Sequence, residues 1–359
     1  MECKDTPWPS NREFLRNFDK KAAELRIPFT GSLELTSRCN LNCVHCYLGP
    51  HALPDRMACK EMSTAKLLSV FDEITEAGCL NLLLTGGEPL LRKDFGELYS
   101  HAKKNGMLVT VFSNGTLITD DIVSLFADLP PRSVEITLYG ATEDTYEKIT
   151  RVPGSYKKCV QGISRLRDAD VPVELKTMLL TLNSHELFDM ESMARDLGVK
   201  FRFDAAIFPK LNGDRSPISL RVPAEEVVDK EFSDAVRYGQ WKDFFHRVES
   251  SPAQDRIYIC GAGTNSFHID AYGNMKPCLM MTSLAYSLEK GDFATGWRDV
   301  IVSISKKKPG RHYTCNSCEK ASLCGYCPAF FALENGREDV CSEYLCSIGS
   351  ARFKRIREE

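Results

Sequence analysis

No stretch of this 359-residue chain is apolar for long enough to cross a lipid bilayer as a helix. The first twenty residues are charged and lack the apolar segment of a secretory signal. The chain also lacks a large excess of either positive or negative charge, because 46 Lys and Arg are balanced by 49 Asp and Glu and the net charge is −3. Without a general basic surface we expect no nucleic-acid partner. These absences predict a soluble cytoplasmic protein, with a monomer as the default.

Cysteine, in contrast, is abundant, with 15 in the chain. Three fall between positions 39 and 46, and eight fall between positions 260 and 346. Clustered cysteines without an export signal favour metal binding over a disulfide framework. The remaining four are predicted to have no metal role: Cys79 and Cys159 have the surroundings of core residues, and Cys3 and Cys59 are incidental.

Residues 30–209 alternate between strand-like and helix-like stretches. The predicted strands are six short apolar or β-branched segments, at 32–37, 80–85, 107–113, 133–139, 173–180 and 200–208. Three helical patterns between them, at 64–78, 94–106 and 184–198, end in Gly, as helices often do. Such repeats predict a parallel sheet with helices outside. Six units fall short of a closed barrel, so the predicted fold class is α/β, a partial (β/α)6 TIM-like barrel with its active face at the C-terminal strand ends.

The strand–helix repeat stops near position 209, which divides the chain. We predict an N-terminal extension at 1–29, the partial barrel at 30–209, a charged connector with some helix at 210–256, a cysteine-rich domain organised by its cofactors at 257–346, and a basic tail at 347–359 that forms a surface helix. No solenoid-type repeat and no low-complexity stretch interrupts this order.

Three cysteines, Cys39, Cys43 and Cys46, follow the first predicted strand at its C-terminal end. A barrel of this type places its chemistry there. A [4Fe–4S] cluster held by three thiolates keeps one iron without a protein ligand, and that iron can bind a substrate or cofactor. The alternative is a zinc site that takes His45 or His51 as its fourth ligand.

The Cys-x3-Cys-x2-Cys spacing, with His45 before the last cysteine, resembles the signature of radical S-adenosylmethionine (SAM) enzymes. In that family the open iron chelates the amino and carboxylate groups of SAM, so the resemblance implies that the fourth ligand is the cosubstrate. "TGGEP" after the second strand resembles the family's motif for the methionine amino group, and "FSNGT" ends the third strand, where the family contacts the ribose and carboxylate. The implied SAM-binding residues are Gly86, Gly87, Glu88, Pro89, Ser113 and Asn114, with Tyr47 beside the last cysteine.

Residues 136–156 resemble the family segment that ends the fourth strand and carries the arginine for the methionine carboxylate. Thr137 and Arg151 are the candidates there, and arginine suits a bidentate carboxylate contact. The alternatives are a plain strand-to-helix turn for "TGGEP", a generic Asn-Gly turn at position 114, and a solvated helix-end side chain for Arg151. On the fifth strand, Lys176 and Leu180 are weaker candidates for lining the pocket.

The second cysteine cluster forms an eight-residue array, which is strong evidence for metal. The array reads Cys260-x12-Gly273-x4-Cys278, then Cys315-x2-Cys318-x5-Cys324-x2-Cys327, then Cys341 and Cys346. It resembles the SPASM extension of radical SAM enzymes, which carries two auxiliary [4Fe–4S] clusters. The family pattern has three residues between its last two cysteines of the quartet, whereas this chain has two between Cys324 and Cys327. The alternative is two structural zinc ions.

The SPASM resemblance implies a division of these ligands. The first auxiliary cluster takes Cys260, Cys278 and Cys327, and the second takes Cys315, Cys318, Cys324 and one late cysteine, with Cys346 favoured over Cys341. No cysteine shortly precedes Cys260, so the first cluster keeps an open iron, recruits Cys341, or uses another type of ligand. His268 and Asp270 are candidate proton carriers, with hydrogen bonding within a turn as the alternative.

The resemblance implies a radical SAM oxidoreductase that cleaves SAM reductively to a 5′-deoxyadenosyl radical, which abstracts a substrate hydrogen atom. The implied substrate is a ribosomally made peptide, to be crosslinked, epimerised or oxidised. Only 38 residues precede Cys39, which implies a separate leader-recognition protein or leader-independent binding. Flavodoxin or ferredoxin is the implied electron donor. The alternatives are tetrapyrrole oxidative decarboxylation or another small-molecule reaction, sulfatase-type maturation, and, more remotely, a non-catalytic iron–sulfur carrier or zinc module.

Overall fold

A computed structural model describes residues 11–49, 60–248 and 255–358. Cys3, His51 and Cys59 lie outside these ranges, so the expectations for them stay predictions. None of the helices within these ranges is long and apolar enough to span a membrane.

Six parallel strands form the first part of the molecule. They are β1 Thr30–Thr36, β2 Asn81–Gly86, β3 Leu108–Ser113, β4 Ser133–Thr137, β5 Val173–Met178 and β6 Lys200–Asp204. They lie in the order β6-β5-β4-β3-β2-β1, which confirms the predicted partial barrel. The last strand ends four residues before the predicted position 208, because the Asp204 carboxylate accepts the backbone N–H of Ala206 at 2.8 Å and turns the chain.

Helices cover the outside of these strands. They are α1 Asn11–Leu25, α2 Thr64–Glu76, α3 Phe95–Lys104, α4 Asp120–Asp128, α5 Glu143–Thr150, α6 Ser155–Asp168 and α7 Leu187–Asp196, with 3-10 turns at Pro89–Leu91 and Ser184–Glu186. The three predicted glycine ends are confirmed, because Gly78, Gly106 and Gly198 all have positive φ. Cys79 and Cys159 are buried in the apolar core between strands and helices, as predicted.

The remaining strands extend the same sheet. β7 Ser266–Ile269 pairs in parallel with β1, and β8 Asn274–Lys276 and β9 Tyr286–Ser287 follow in antiparallel order, which gives nine strands among the described residues. The cysteine-rich region therefore begins as a continuation of the barrel sheet. The predicted domain boundary at 257 stays a prediction.

Helical segments make up much of the rest of the described chain. They are α8 Ala224–Phe232, α9 Ala235–Val248, α10 Phe293–Thr295, α11 Pro328–Asn335 and α12 Glu343–Arg357, with a π-helical turn at Gly296–Val300 and 3-10 turns at Ser216–Leu220, Ile301–Lys306 and Cys315–Ser317.

The C-terminal helix corrects the predicted surface tail at 347–359. α12 begins at Glu343 and packs against α8, with Ile356 buried. The guanidinium of Arg352 is buried too, and it donates to both carboxylate oxygens of Glu231 at 2.6 and 2.8 Å. The other basic residues Lys354, Arg355 and Arg357 are exposed on this packed helix. The sequence pattern alone did not indicate the buried ion pair.

Candidate active site

A cavity of about 450 Å³ opens at the C-terminal ends of the barrel strands. The structure brings most of the candidate SAM-binding residues to its wall. These are Tyr47, Gly86, Gly87, Ser113, Asn114 and Thr137, together with Cys39, Cys43 and Cys46. Residues separated by up to 98 positions in the sequence thus line one cavity, at the end of the barrel where parallel-barrel enzymes have their active sites.

The three thiols are buried beside one another. Burial raises the pKa of Cys39 to about 12, and it raises the pKa of Cys43 and of Cys46 as well. The backbone N–H of Leu41 and the side-chain amide of Asn114 donate to the Cys39 sulfur at 3.4 and 3.8 Å. Buried thiols become thiolates when a metal compensates their charge, so this donor set fits an iron–sulfur cluster.

His45 packs inside this group without a polar contact to its ring Nδ1 among the described residues. Its ring meets the Tyr139 ring edge-on with centroids 5.1 Å apart, and burial lowers its pKa to about 4. His45 is therefore neutral and part of the apolar packing around the thiols. In the part of the chain that the structure describes, no three His, Cys, Asp or Glu side chains are arranged to hold a single metal ion.

Gly86 and Gly87 allow the end of β2 to press against the cysteine loop. A Cβ on Gly86 would lie 2.2 Å from the carbonyl oxygen of Thr36, and one on Gly87 would lie 2.1 Å from that of Arg38. The backbone N–H groups of Gly87 and Glu88 donate to those same two oxygens at 2.8 Å. The glycines are required for this close approach, which fixes the loop that carries Cys39.

Glu88 joins two of the motifs and does not line the cavity. Its Oε1 accepts from the Ser113 hydroxyl at 3.0 Å and from Leu90 N–H at 3.1 Å, and its Oε2 accepts from Asn114 N–H at 2.7 Å. The side chain is fully buried, and burial raises its pKa to about 7. The structure thus gives Glu88 an organising contact, and Pro89 likewise lies outside the cavity wall.

The other candidates separate into two groups. Lys176 lines the cavity, buried near the Phe112 ring and 3.4 Å from the Glu135 carboxylate, and burial lowers its pKa. Arg151, in contrast, is exposed at the end of α5 with φ of 57°, and it is not among the residues of the cavity wall. Leu180 packs in a separate apolar cluster.

His268 and Glu34 form a buried pair beside the cavity, and only His268 was a candidate from the sequence. His268 of β7 lines the cavity, and its Nε2 lies 3.6 Å from Oε1 of Glu34 on the neighbouring β1. Ser32 Oγ holds the other ring nitrogen of His268 at 2.8 Å. Burial raises the pKa of Glu34 to about 7 and lowers that of His268 to about 3. Glu34 was missed, although a charged residue within an apolar strand is a usable signal.

Asp270, the other proton-carrier candidate, forms hydrogen bonds within a turn, which was the alternative to a proton-carrying role. Its Oδ1 accepts the backbone N–H groups of Tyr272 and Asn274, both at 3.0 Å, and its Oδ2 pairs with Lys276 at 2.9 Å. Asp270 therefore organises the turn between β7 and β8.

Comparison with known proteins agrees with this geometry. Residues 33–197, which carry the three thiols and the glycine motif, match the radical SAM superfamily. The chain contains a radical SAM domain. Its cofactors are therefore SAM and the iron–sulfur cluster of that family, for which the Cys39, Cys43 and Cys46 donor set is a fit.

Similarity to known proteins extends beyond that domain. The chain is 26% identical over 316 residues to an AdoMet-dependent heme synthase of Methanosarcina barkeri, covering 82% of this chain and 90% of the relative. It is 28% identical over 316 residues to the mycofactocin maturase MftC of Mycobacterium tuberculosis, covering 85% and 79%. Its fold matches the crystal structure of Streptococcus suis SuiB bound to precursor peptide SuiA, with a TM-score of 0.71, 14% identity, and coverage of 96% and 84%.

The C-terminal cysteines lie in two groups. In the first, burial raises the pKa of Cys278, and the neighbouring Cys327 and Cys260 raise it further. The second group contains five thiols, and the side chain of Cys341 contacts those of Cys315 and Cys346 within it. Its members are Cys315, Cys318, Cys324, Cys341 and Cys346. The structure thus places Cys341 with the second group and divides the eight thiols three to five.

Proposed function

We propose that this radical SAM enzyme modifies a ribosomally made peptide. The observation that carries the radical chemistry is the single cavity that holds Cys39, Cys43 and Cys46 together with Gly86 and Gly87. The peptide as substrate is supported by the similarity to the mycofactocin maturase and by the fold shared with SuiB, which was solved with its precursor peptide. Crosslinking, epimerisation and oxidation are the outcomes that this chemistry permits.

Cys39, Cys43 and Cys46 would hold the cluster, which together with SAM would supply radical chemistry for removing a hydrogen atom from the substrate. The chain's own residues orient the reactants and exclude water. Apolar side chains on the cavity wall serve the second purpose, among them Leu41, Leu83, Phe112, Phe208 and Leu279. Lys176 places its amine at the same wall, where it can donate a hydrogen bond to a substrate carboxylate.

The two C-terminal thiol groups are proposed to hold two auxiliary [4Fe–4S] clusters, which makes three clusters in the chain. The first is ligated by Cys260, Cys278 and Cys327, and one position is left for another ligand. The second is ligated by Cys315, Cys318, Cys324 and Cys346. The grouping of the thiols supports this division. The further partners in this proposal are a separate leader-recognition protein and an electron donor such as flavodoxin or ferredoxin, in a cytoplasmic setting.

A second candidate function is oxidative decarboxylation of a tetrapyrrole. It is favoured by the heme synthase of Methanosarcina barkeri, 90% of whose length this chain covers. In this case the Lys176 amine would donate a hydrogen bond to a propionate of the macrocycle instead of a peptide carboxylate.

An anaerobic incubation in deuterated water tests the peptide proposal. Reconstituted enzyme, dithionite, SAM and the host's small-peptide fraction are combined and analysed by mass spectrometry, with an incubation lacking SAM as the control. A peptide that loses two hydrogens, or gains one deuterium at carbon, supports a maturase and identifies the type of modification. If 5′-deoxyadenosine forms, every peptide stays unchanged and a tetrapyrrole supplied in a parallel incubation loses carbon dioxide, the peptide proposal is wrong.

A further inference from the structure

Glu61 is a buried carboxylate, and it sits directly under the cysteine loop. Its side chain is 3% exposed. Its Oε1 accepts from the Thr36 hydroxyl at 2.8 Å, from the backbone N–H of Ser37 at 2.8 Å and from the Ser37 hydroxyl at 3.0 Å. Thr36 ends β1, and Ser37 lies two residues before Cys39. A buried carboxylate that collects three donors from one turn fixes that turn strongly.

Arg38 completes the turn and connects it to the glycine motif. Its Nε lies 3.5 Å from the second oxygen of Glu61, and its backbone N–H donates to the Thr36 hydroxyl at 3.1 Å. Its carbonyl oxygen accepts the backbone N–H of Glu88 at 2.8 Å. A shift of the Glu61 carboxylate would therefore move both the start of the cysteine loop and the motif beside it.

The same turn also contacts the C-terminal part of the chain. The Tyr272 hydroxyl lies 2.9 Å from the Ser37 hydroxyl, and the backbone N–H of Met62 donates to Ala271 O at 2.9 Å. Tyr272 belongs to the turn between β7 and β8, and β8 ends two residues before Cys278. Glu61 and Tyr272 thus join the three-cysteine loop to the strand that leads into the first C-terminal thiol group.

We propose that Glu61 and Tyr272 are positioning residues for the SAM-cleaving cluster. They hold the 36–38 turn, and through it the start of the loop that carries Cys39, against Gly86 and Gly87. Neither side chain lies on the cavity wall, so both act through the turn. The inference concerns SAM cleavage and does not depend on the identity of the substrate.

The test uses reconstituted holoenzyme without any peptide. It measures iron content, the rate of 5′-deoxyadenosine formation, and the change that SAM produces in the electron paramagnetic resonance spectrum of the reduced protein. In Glu61→Gln, an amide NH2 would oppose the donors of Thr36 and Arg38. We expect cleavage to fall by about tenfold to a hundredfold, as for other residues that orient cluster ligands, together with an altered response of the spectrum to SAM.

Glu73→Gln is the matched control. The Glu73 carboxylate also joins a barrel helix to the C-terminal part, since it accepts the backbone N–H of Phe293 at 2.6 Å, but it does not contact the cysteine loop. We expect this variant to lose thermal stability while its cleavage rate and SAM-induced spectrum remain those of the parent.

Tyr272→Phe removes one hydroxyl and preserves the packing of the ring. We expect a decrease of about threefold in cleavage with unchanged iron content, which matches the loss of one hydrogen bond. The proposal is overturned if Glu61→Gln and Tyr272→Phe both cleave SAM at the parent rate and show its spectrum. If Glu61→Gln does not fold, the Tyr272→Phe result decides alone.

Discussion

The backbone N–H of Asn114 donates to Oε2 of Glu88 at 2.7 Å, and this contact joins the ends of two neighbouring strands. The hydroxyl of Ser113 binds the other oxygen of the same carboxylate at 3.0 Å. Two motifs of the proposed SAM site are therefore held in register by one fully buried side chain. Because Glu88 does not line the cavity, its effect on cleavage should come through the position of Asn114.

Glu88→Gln tests that role. An amide in place of the carboxylate would turn an NH2 group toward a donor and leave buried N–H groups without an acceptor. We expect SAM cleavage to decrease by about tenfold or more while the iron content stays near that of the parent. Glu97→Gln, at an exposed position of α3, is the control and should cleave SAM normally. Normal cleavage by the Glu88 variant would contradict the organising role.

Gly87→Ala tests the close approach of β2 to the cysteine loop. The added Cβ would lie 2.1 Å from the carbonyl oxygen of Arg38, so the backbone must shift. We expect loss of SAM cleavage and a lower melting temperature, measured by calorimetry of the anaerobic protein. Gly96→Ala is the matched control, because Gly96 lies within a helix and the added Cβ would be 3.8 Å from the Leu125 side chain, an ordinary contact distance. This substitution should stabilise the protein by about 0.5 kcal/mol. Equal behaviour of the two variants would refute the steric argument.

Cys341→Ser and Cys346→Ser test which of these two thiols is the fourth ligand of the proposed second auxiliary cluster and which is not a ligand. If Cys346 is the ligand, its replacement should remove the second auxiliary cluster, and about four iron atoms per chain should be lost. Cys341→Ser should keep that iron, because all four proposed ligands, Cys315, Cys318, Cys324 and Cys346, remain in the group. Iron analysis and Mössbauer spectroscopy provide the measurement. The reverse pattern would make Cys341 the ligand.

Asp94→Asn tests an ion pair that supports the end of β1. Arg92 donates to both oxygens of Asp94, at 2.8 and 2.6 Å, and to the Leu35 carbonyl oxygen at 2.9 Å. Hydrogen bonding from Arg92 lowers the pKa of Asp94 to about 2. Since the folded state favours the ionised form, this contribution to stability is complete above the ordinary pKa of 3.8 and is lost as the pH falls toward 2.

We therefore expect Asp94→Asn to lower the free energy of unfolding by about 2 kcal/mol at pH 7, with most of the difference remaining at pH 5. Urea denaturation followed by circular dichroism measures it. The exposed Arg167–Asp168 pair is the control, and Asp168→Asn should change the unfolding free energy by less than about 0.5 kcal/mol. A difference between parent and Asp94 variant that grows on acidification would contradict the assigned sign.

The barrel and the thiol cavity were predictable from sequence because both depend on local signals. Buried parallel strands appear as short apolar runs, and Gly78, Gly106 and Gly198 mark helix ends through their positive φ. The three cysteines follow a strand end directly, so their position on the active face also follows from local order.

What the sequence did not reveal depends on pairing between distant segments. β7 has four residues and no distinctive pattern, yet it pairs with β1 and brings His268 within 2.8 Å of Ser32, 236 positions away. Arg352 was expected at the surface as part of a basic tail. Its buried partner Glu231 is 121 positions away, so the sequence around Arg352 does not indicate the pair. Such contacts are set by tertiary packing, and neither hydrophobic period nor motif spacing encodes them.

The most direct test of the account replaces Cys39, Cys43 and Cys46 by alanine together and measures 5′-deoxyadenosine formation and iron content. The parent, reconstituted with dithionite and SAM, is the reference. We predict that the variant forms no 5′-deoxyadenosine while it keeps the iron of the C-terminal thiols, about eight atoms per chain. Persistent SAM cleavage by this variant would contradict the assignment of the reaction to these three thiols.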